Sequence, residues 1–111
     1  MDTELLKGTL SLLILSLLSR KPMYGYELAA TVHRDTDGTF TWREGSLYPS
    51  LHKLEAEGLI VGEWEEKETG RKRRYYQVTK KGRGALKAKV ESWMELSRGV
   101  NRILEKSDGQ A

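Results

Sequence analysis

The sequence predicts an α+β fold that is mostly helical, with one small hairpin and a long last helix. Three observations support this prediction. Leucines recur at helical spacing near the N-terminus and again in residues 47–54. Two alternating apolar stretches flank a glycine-containing loop between residues 60 and 78, which is typical of a β-hairpin. Apolar residues then repeat at intervals of four and three from Leu86 to Leu104, which is typical of a helix that packs on a partner helix.

The composition indicates the size of the fold, the redox environment and the absence of a membrane span. It has 111 residues, 38% hydrophobic and 32% charged, so we expect one globular domain with a modest core. The absence of cysteine excludes disulfides and cysteine zinc sites, and it is typical of the reducing cytoplasm, where we expect the protein to act. The most apolar segment, residues 10–18, falls short of the ~20 residues that span a bilayer, so we predict a buried helix and no membrane partner.

The N-terminal part is predicted to contain two helices. The first spans residues 4–19, and its leucine stripe is wide enough to contact both the core and a second subunit. The residues assigned to that subunit contact are Leu6, Leu10 and Leu13. The second helix spans residues 24–36, with Leu28, Ala29 and Val32 toward the core, and an Asp-Gly turn follows it.

A third helix is predicted around a second leucine stripe. Its apolar face consists of Leu47, Leu51 and Leu54. Gly58 ends the helix, since a left-handed end is least costly for glycine. With Ser46 as the N-cap, Pro49 falls in the first turn, where its missing N–H costs little; an earlier start would distort the helix. The opposite face carries small, polar or basic side chains, namely Pro49, His52, Lys53 and Ala56.

The hairpin is predicted from strands at residues 60–66 and 73–78. The connecting loop, residues 67–72, has a glycine and is strongly basic. Eight lysines and arginines between positions 67 and 83 give a chain of net charge +3 a local positive field. Trp64 alternates with Ile60, so we expect it in the core of the hairpin.

The last helix is predicted from its cap at Thr79 to about Lys106. Its heptad seam consists of Leu86, Val90, Trp93, Ser97, Val100 and Leu104. At ~1.5 Å per residue the helix is longer than so small a domain can cover, so the seam predicts a C2 homodimer. We therefore divide the chain into residues 1–78, a dimerisation helix at 79–106 continuous with them, and a frayed tail at 107–111.

The order of three helices, a hairpin and a helix is that of a winged helix-turn-helix. In that fold the third helix enters the major groove of double-stranded DNA and the hairpin, or wing, flanks it. His52 and Lys53 can reach base edges, while serine and tyrosine hydroxyls and the basic wing can bind phosphates. The predicted DNA-binding residues are Tyr26, Arg43, Ser46, Tyr48, Pro49, Ser50, His52, Lys53, Lys67, Arg71, Lys72, Arg73 and Arg74.

Two alternatives stand beside this interpretation. A basic run is a weak motif, and the wing could be an ordinary solvated hairpin whose cations pair with Glu63, Glu65, Glu66 and Glu68. The rival function is a winged-helix module that binds proteins and has no DNA operator. Affinity for duplex DNA distinguishes the two, because phosphate contacts make it fall steeply with salt.

Three segments resemble a known family. They are Tyr24–Leu28 (YGYEL), Gly45–Ile60 (GSLYPSLHKLEAEGLI) and Gly70–Gly82 (GRKRRYYQVTKKG). In these segments the chain is similar to PadR-family transcriptional regulators of the short kind with one C-terminal helix. The resemblance implies a dimeric repressor on a palindromic operator, with DNA contacts at Ser46, Tyr48 and the wing, and dimerisation through the first and last helices.

The resemblance also bears on Trp93. Some multidrug-sensing relatives hold flat aromatic ligands between tryptophans at the dimer interface, and Trp93 with Met94 resembles that placement. The alternative is that Trp93 only packs across the dimer, as large aromatic residues on an apolar stripe usually do.

Catalysis has no support in the sequence. No serine, histidine and acid cluster and no phosphate loop is suggested, so we expect no enzymatic activity and no cofactor. His33 and His52 are nineteen residues apart with no cysteine nearby, which argues against a metal site.

Overall fold

The computed structural model describes residues 3–110, and the side chains of residues 4–107. It contains five helices and one antiparallel sheet, and it confirms the predicted fold class. The elements in order are α1 (Thr3–Lys7), α2 (Leu10–Arg20), β1 (Met23–Tyr24), α3 (Gly25–Asp35), α4 (Glu44–Ala56), β2 (Ile60–Glu66), β3 (Lys72–Val78) and α5 (Lys80–Gln110).

The N-terminal segment is two helices, where the sequence predicted one. The break lies at Gly8 and Thr9, and both the N–H and the hydroxyl of Thr9 donate to the carbonyl of Leu6, at 3.0 and 2.8 Å. Thr9 therefore closes a tight turn, and a glycine before it makes the helical backbone less favourable.

This break changes what the N-terminal leucines contact. Leu6 and Leu10 are 9% and 3% exposed, so both belong to the core of the single chain and leave little surface for the subunit contact that the sequence predicted. Leu13 packs partly buried against that core. Leu5, in contrast, is 69% exposed and faces outward from α1. The stripe is apolar on several sides because α2 is surrounded by its own chain.

The core lies between α2, α3, α4 and the sheet. Its fully buried side chains are Ile14, Leu15, Leu18, Met23, Leu28, Leu51, Leu54 and Ile60. Both predicted core faces are confirmed in α3 and α4, where Leu28 and Val32 and the three leucines of α4 are buried. The predicted turn after α3 is also present, with Asp37 and Gly38 at positive φ.

The sheet has three strands in the order β1-β3-β2, one more than the sequence predicted. The additional strand, β1, is two residues long, and it pairs Met23 with Tyr76 and Tyr24 with Tyr75. So short a strand leaves no alternating pattern to detect. Its consequence is functional, because it ties the start of α3 to the wing.

The last helix is anchored at its start and extends away from the body. The Thr79 hydroxyl accepts the N–H of Gly82 and donates to the carbonyl of Gly58, which confirms the predicted cap. A Cβ at Gly82 would lie 2.0 Å from the carbonyl oxygen of Leu59, so only glycine fits there. The helix continues to Gln110, past the predicted end near Lys106, and Ala111 lies outside the described residues.

Candidate nucleic-acid interface

The outer face of α4 is exposed while its inner face forms the centre of the core. Leu47, Leu51 and Leu54 are at most 3% exposed, which fixes the rotation of the helix on the body. His52 and Lys53 lie on the exposed side, as predicted. Gly58 adopts φ +75 just beyond the helix and redirects the chain into β2. The helix therefore presents one polar face to the exterior.

The helix begins earlier than the sequence predicted. Arg43 is the residue before its first turn, and the N–H of Leu47 donates to the Arg43 carbonyl at 2.9 Å, so Ser46 is not the N-cap. Pro49 then lies in the second turn, where it cannot donate to the carbonyl of Gly45. Gly45 is exposed, and no other atom lies within 4 Å of the position that a Cβ would take there. The backbone therefore has room for this distortion.

The serines of α4 differ in what they can offer a phosphate. Ser46 is exposed beside Arg43, at the N-terminal end of the helix. Ser50 is half-buried, and its hydroxyl donates to the Ser46 carbonyl at 3.0 Å. Its proton is thus already used inside the helix, so Ser50 fits poorly the predicted role of phosphate donor.

A groove separates α4 from the wing. Its volume is about 830 Å³. Its lining is aromatic and basic: Tyr24, Gly25, Tyr26, Tyr48, His52, Glu55, Ala56, Trp64, Lys72, Arg73, Arg74 and Tyr76. Tyr48 is 39% exposed, and a Cβ on Gly25 would lie 3.2 Å from its hydroxyl oxygen. Tyr48 therefore packs along one side and leaves the other open.

Beside α4, the groove is lined by two stacked tyrosines, each with a wing cation over its ring. The rings of Tyr24 and Tyr26 stack at 5.7 Å with 9° between their planes. Lys67 lies over Tyr24 and Arg73 over Tyr26, each 4.9 Å from the ring centroid. Cation–π contacts restrict these side chains without neutralising their charge. Tyr24 was not among the predicted site residues, since only strand β1 places it beside the wing.

The hydroxyl of Tyr24 links the stacked tyrosines to β2. It donates to Glu65 at 2.6 Å, and this bond, with the nearby carboxylate charge, raises the pKa of Tyr24 to about 12. Glu65 is thus satisfied by a tyrosine and not by the basic loop.

The cations of the wing are of two kinds. Within residues 3–110, Lys67, Arg71, Lys72 and Arg73 make no ion pair with the glutamates of the hairpin. Arg74 differs, because it pairs with Glu55 of α4, and this hydrogen bond raises the pKa of its guanidinium. The predicted DNA contact at Arg74 therefore fits the structure poorly, since that side chain is already bound.

Trp64 is not in the core of the hairpin, contrary to the prediction. It is 66% exposed and lies on the groove side of β2, with the Arg74 guanidinium 5.3 Å from its ring. Alternation places Trp64 on the same face as the buried Ile60. The hairpin, however, extends beyond the body, so nothing covers that face by position 64.

The exposed face of α5 carries most of the predicted seam. Val90, Trp93, Val100 and Leu104 are 43–54% exposed, whereas Leu86 packs partly buried on the core. Ser97 donates within the helix to the Met94 carbonyl at 3.2 Å. An apolar surface of this length requires a partner if it is not to promote aggregation.

A second cavity lies between α5 and the N-terminal segment. It measures about 550 Å³ and is lined by Glu4, Leu5, Gly8, Thr9, Ser11, Leu12, Ala88, Lys89, Ser92, Trp93 and Leu96. Trp93 therefore shares the lining of this cavity with Leu5 and Leu12. Met94, which was predicted to share a ligand with Trp93, is 54% exposed and does not line this cavity.

The part of the chain that the structure describes offers neither a membrane span nor a metal site. No helix there is long and apolar enough to cross a bilayer. No three histidine, aspartate or glutamate side chains there are grouped so that they could hold a metal ion.

Comparison with known proteins gives a consistent family. The model of the "Transcriptional regulator PadR-like family" matches residues 14–88. A transcriptional regulator from Clostridium thermocellum superposes with a TM-score of 0.84 at 30% identity, covering 92% of this chain and 96% of that one. A PadR-family transcriptional regulator from Eggerthella lenta gives 0.81 at 36% identity, with 95% and 89% covered. The transcriptional regulator Rv3488 of Mycobacterium tuberculosis is 48% identical over 56 residues, half of each chain.

Proposed function

The chain belongs to the PadR-like family of transcriptional regulators, and we propose that it is a dimeric repressor that binds a palindromic operator in double-stranded DNA. Membership confirms the regulatory class and agrees with the expectation that the protein is not an enzyme. The observation that carries the proposal is the shared groove: His52 on the polar face of α4 and the unpaired wing cations Lys72 and Arg73 line the same concave surface.

The proposed binding mode follows from what each wall of the groove offers. The outer face of α4 enters the major groove, where His52 and Lys53 are the side chains that reach base edges. The wing follows the phosphate backbone through Lys67, Arg71, Lys72 and Arg73. Because α4 has few base-reading side chains, much of the affinity comes from phosphates and part of the specificity from half-site spacing and DNA shape.

The second copy is proposed to lie against α5. Its exposed seam buries best against the same seam of another copy, since a two-fold pair covers both at once. Two α4 helices held this way should contact half-sites about one helical turn, ~34 Å, apart. This arrangement makes the geometry of α5 decide which operator spacing is accepted.

An aromatic effector is proposed at Trp93. The cavity beside it is mostly apolar, and Trp93 is half-exposed on the face of α5 where the second copy is proposed to lie. A planar aromatic ligand bound there would release DNA only if it binds one relative arrangement of the two copies better than the other. The competing role for Trp93 is packing alone.

A salt titration tests DNA binding. The affinity of the full chain for a duplex selected from a randomised library should fall by orders of magnitude between low and moderate salt. Lys53→Ala and Arg73→Ala should both weaken binding, while Lys87→Ala, an exposed lysine of α5 away from the groove, serves as the charge-matched control. If Lys53→Ala and Arg73→Ala both bind as the unmodified chain does, the repressor function is wrong and the protein-binding module becomes the better interpretation.

A further inference from the structure

One ion pair joins α4, the helix proposed to contact base edges and here called the reading helix, to the wing. Glu55, on the groove side of α4 near its C-terminal end, accepts a hydrogen bond from the guanidinium of Arg74 in the middle of β3. The two side chains are 33% and 28% exposed, so the pair is partly shielded from water. Among the ion pairs between described residues, this is the one that connects α4 with the sheet.

A glycine makes room for this pair. Gly62 lies in β2 directly below it, and a Cβ there would be 2.6 Å from Nε of Arg74 and 2.8 Å from Oε1 of Glu55. Gly62 has no positive φ, so its backbone does not require glycine. What the position requires is space for the two charged groups, and any side chain would displace them.

An aromatic ring also lies near the guanidinium. Trp64 is the cross-strand partner of Arg74, and its ring lies 5.3 Å from the guanidinium carbon. The Arg74 guanidinium thus contacts the Glu55 carboxylate and the Trp64 ring, and it lies over Gly62, which has no side chain. Glu55 already balances the charge of this guanidinium and would repel an approaching phosphate, so phosphate binding through the remaining N–H groups is unfavourable.

We propose that Glu55, Arg74 and Gly62 form a positioning device that fixes the angle between the reading helix and the wing, and that Arg74 does not bind phosphate. The inference rests on the proposed DNA binding and deepens it. Arg74 acts through the elements it joins: with the pair intact, the wing cations and the face of α4 meet the duplex in one register. With the pair broken, the same cations still bind DNA but no longer favour one site.

Two measurements separate this role from a phosphate contact. The first is the salt slope, which decreases by about 0.9 for every phosphate that the protein no longer neutralises. The second is the ratio of affinities for the duplex that the unmodified chain selects from a randomised library and for a random duplex of equal length. Arg71→Ala, at the loop tip with no ion partner among the described residues, is the control for a phosphate-binding cation.

Three variants break the pair in different ways. Arg74→Ala removes the cation, Glu55→Gln removes the carboxylate charge at constant size, and Gly62→Ala displaces both groups while keeping their charges. We expect each to lower the affinity ratio about tenfold, comparable to one mismatched base pair, and to leave the slope on the random duplex unchanged. Arg71→Ala should lower the slope and leave the ratio unchanged.

Several results would overturn the proposal. If Glu55→Gln binds both duplexes more tightly and with a steeper slope, Arg74 is a phosphate ligand that Glu55 restrains. If Arg74→Ala lowers the slope as Arg71→Ala does, the same conclusion follows. An unchanged affinity ratio in Gly62→Ala, with thermal unfolding showing a folded protein, would also refute it. If the unmodified chain binds neither duplex, the proposed function itself fails, which is a different outcome from all of these.

Discussion

Replacing Val100 by aspartate should dissociate the proposed dimer. Val100 lies in the seam of α5 and is 45% exposed in the single chain. The partner helix would cover this exposed part. Covering about half of a valine side chain stabilises the dimer by about 1 kcal/mol per copy. An aspartate there removes this apolar burial and must also be desolvated, at about 1 kcal/mol or more per copy.

Summed over both copies, the change costs about 4 kcal/mol, which corresponds to a roughly thousandfold higher dissociation constant of the dimer. Sedimentation equilibrium over a range of protein concentrations measures it directly. Arg102→Ala is the matched control, because it changes the net charge by the same amount but lies about 200° around the helix from Val100. Operator affinity should fall together with dimerisation.

Two results would refute this reasoning. If Val100→Asp leaves the dissociation constant within a few-fold of the unmodified value, the seam is not the dimer interface. If Arg102→Ala dissociates the protein equally, net charge and not seam burial controls association. A Val100→Asp protein that remains monomeric yet binds operator with full affinity would separate DNA binding from dimerisation.

Three further predictions concern the core, the second cavity and the wing. Leu51→Ala should lower the free energy of unfolding by about 2–5 kcal/mol in urea titrations at fixed protein concentration, because Leu51 is fully buried; Lys53→Ala on the same helix should change it little. In a background with Trp42→Phe and Trp64→Phe, planar aromatic compounds should quench the fluorescence of Trp93, and absence of quenching by any of them would leave Trp93 a packing residue. The Tyr24 to Glu65 bond stabilises the protonated phenol, so its contribution is present below pH 10 and lost as the pH rises through about 12, whereas Tyr24→Phe should show no such loss in pH-dependent unfolding.

Periodicity identified the elements that bury one face. The apolar faces of α3 and α4 and the seam of α5 are readable because a helix places every third or fourth residue on one side. The same signal misled at Trp64: alternation gives the face of a residue, but not how far the covering body extends. It also joined α1 to α2, because a leucine stripe continues across the turn at Gly8 and Thr9.

The same limit decides which functional residues could be identified from the sequence. The basic composition of the wing was evident from the sequence, and so was the exposure of His52 and Lys53. The sequence could not distinguish Arg74 from Arg73, since the two neighbours differ only in what lies opposite them. Glu55 and Gly62, which bind and accommodate Arg74, are seven residues apart and on different elements.

By itself, the sequence determined the order and kind of most elements, the family and the location of the positive charge, because local periodicity and composition encode these. The tertiary structure alone decided which leucines fill the core of the single chain and which cations are free. It also decided which tyrosines support the wing. These properties depend on contacts between residues far apart in the chain, and such contacts leave no local pattern.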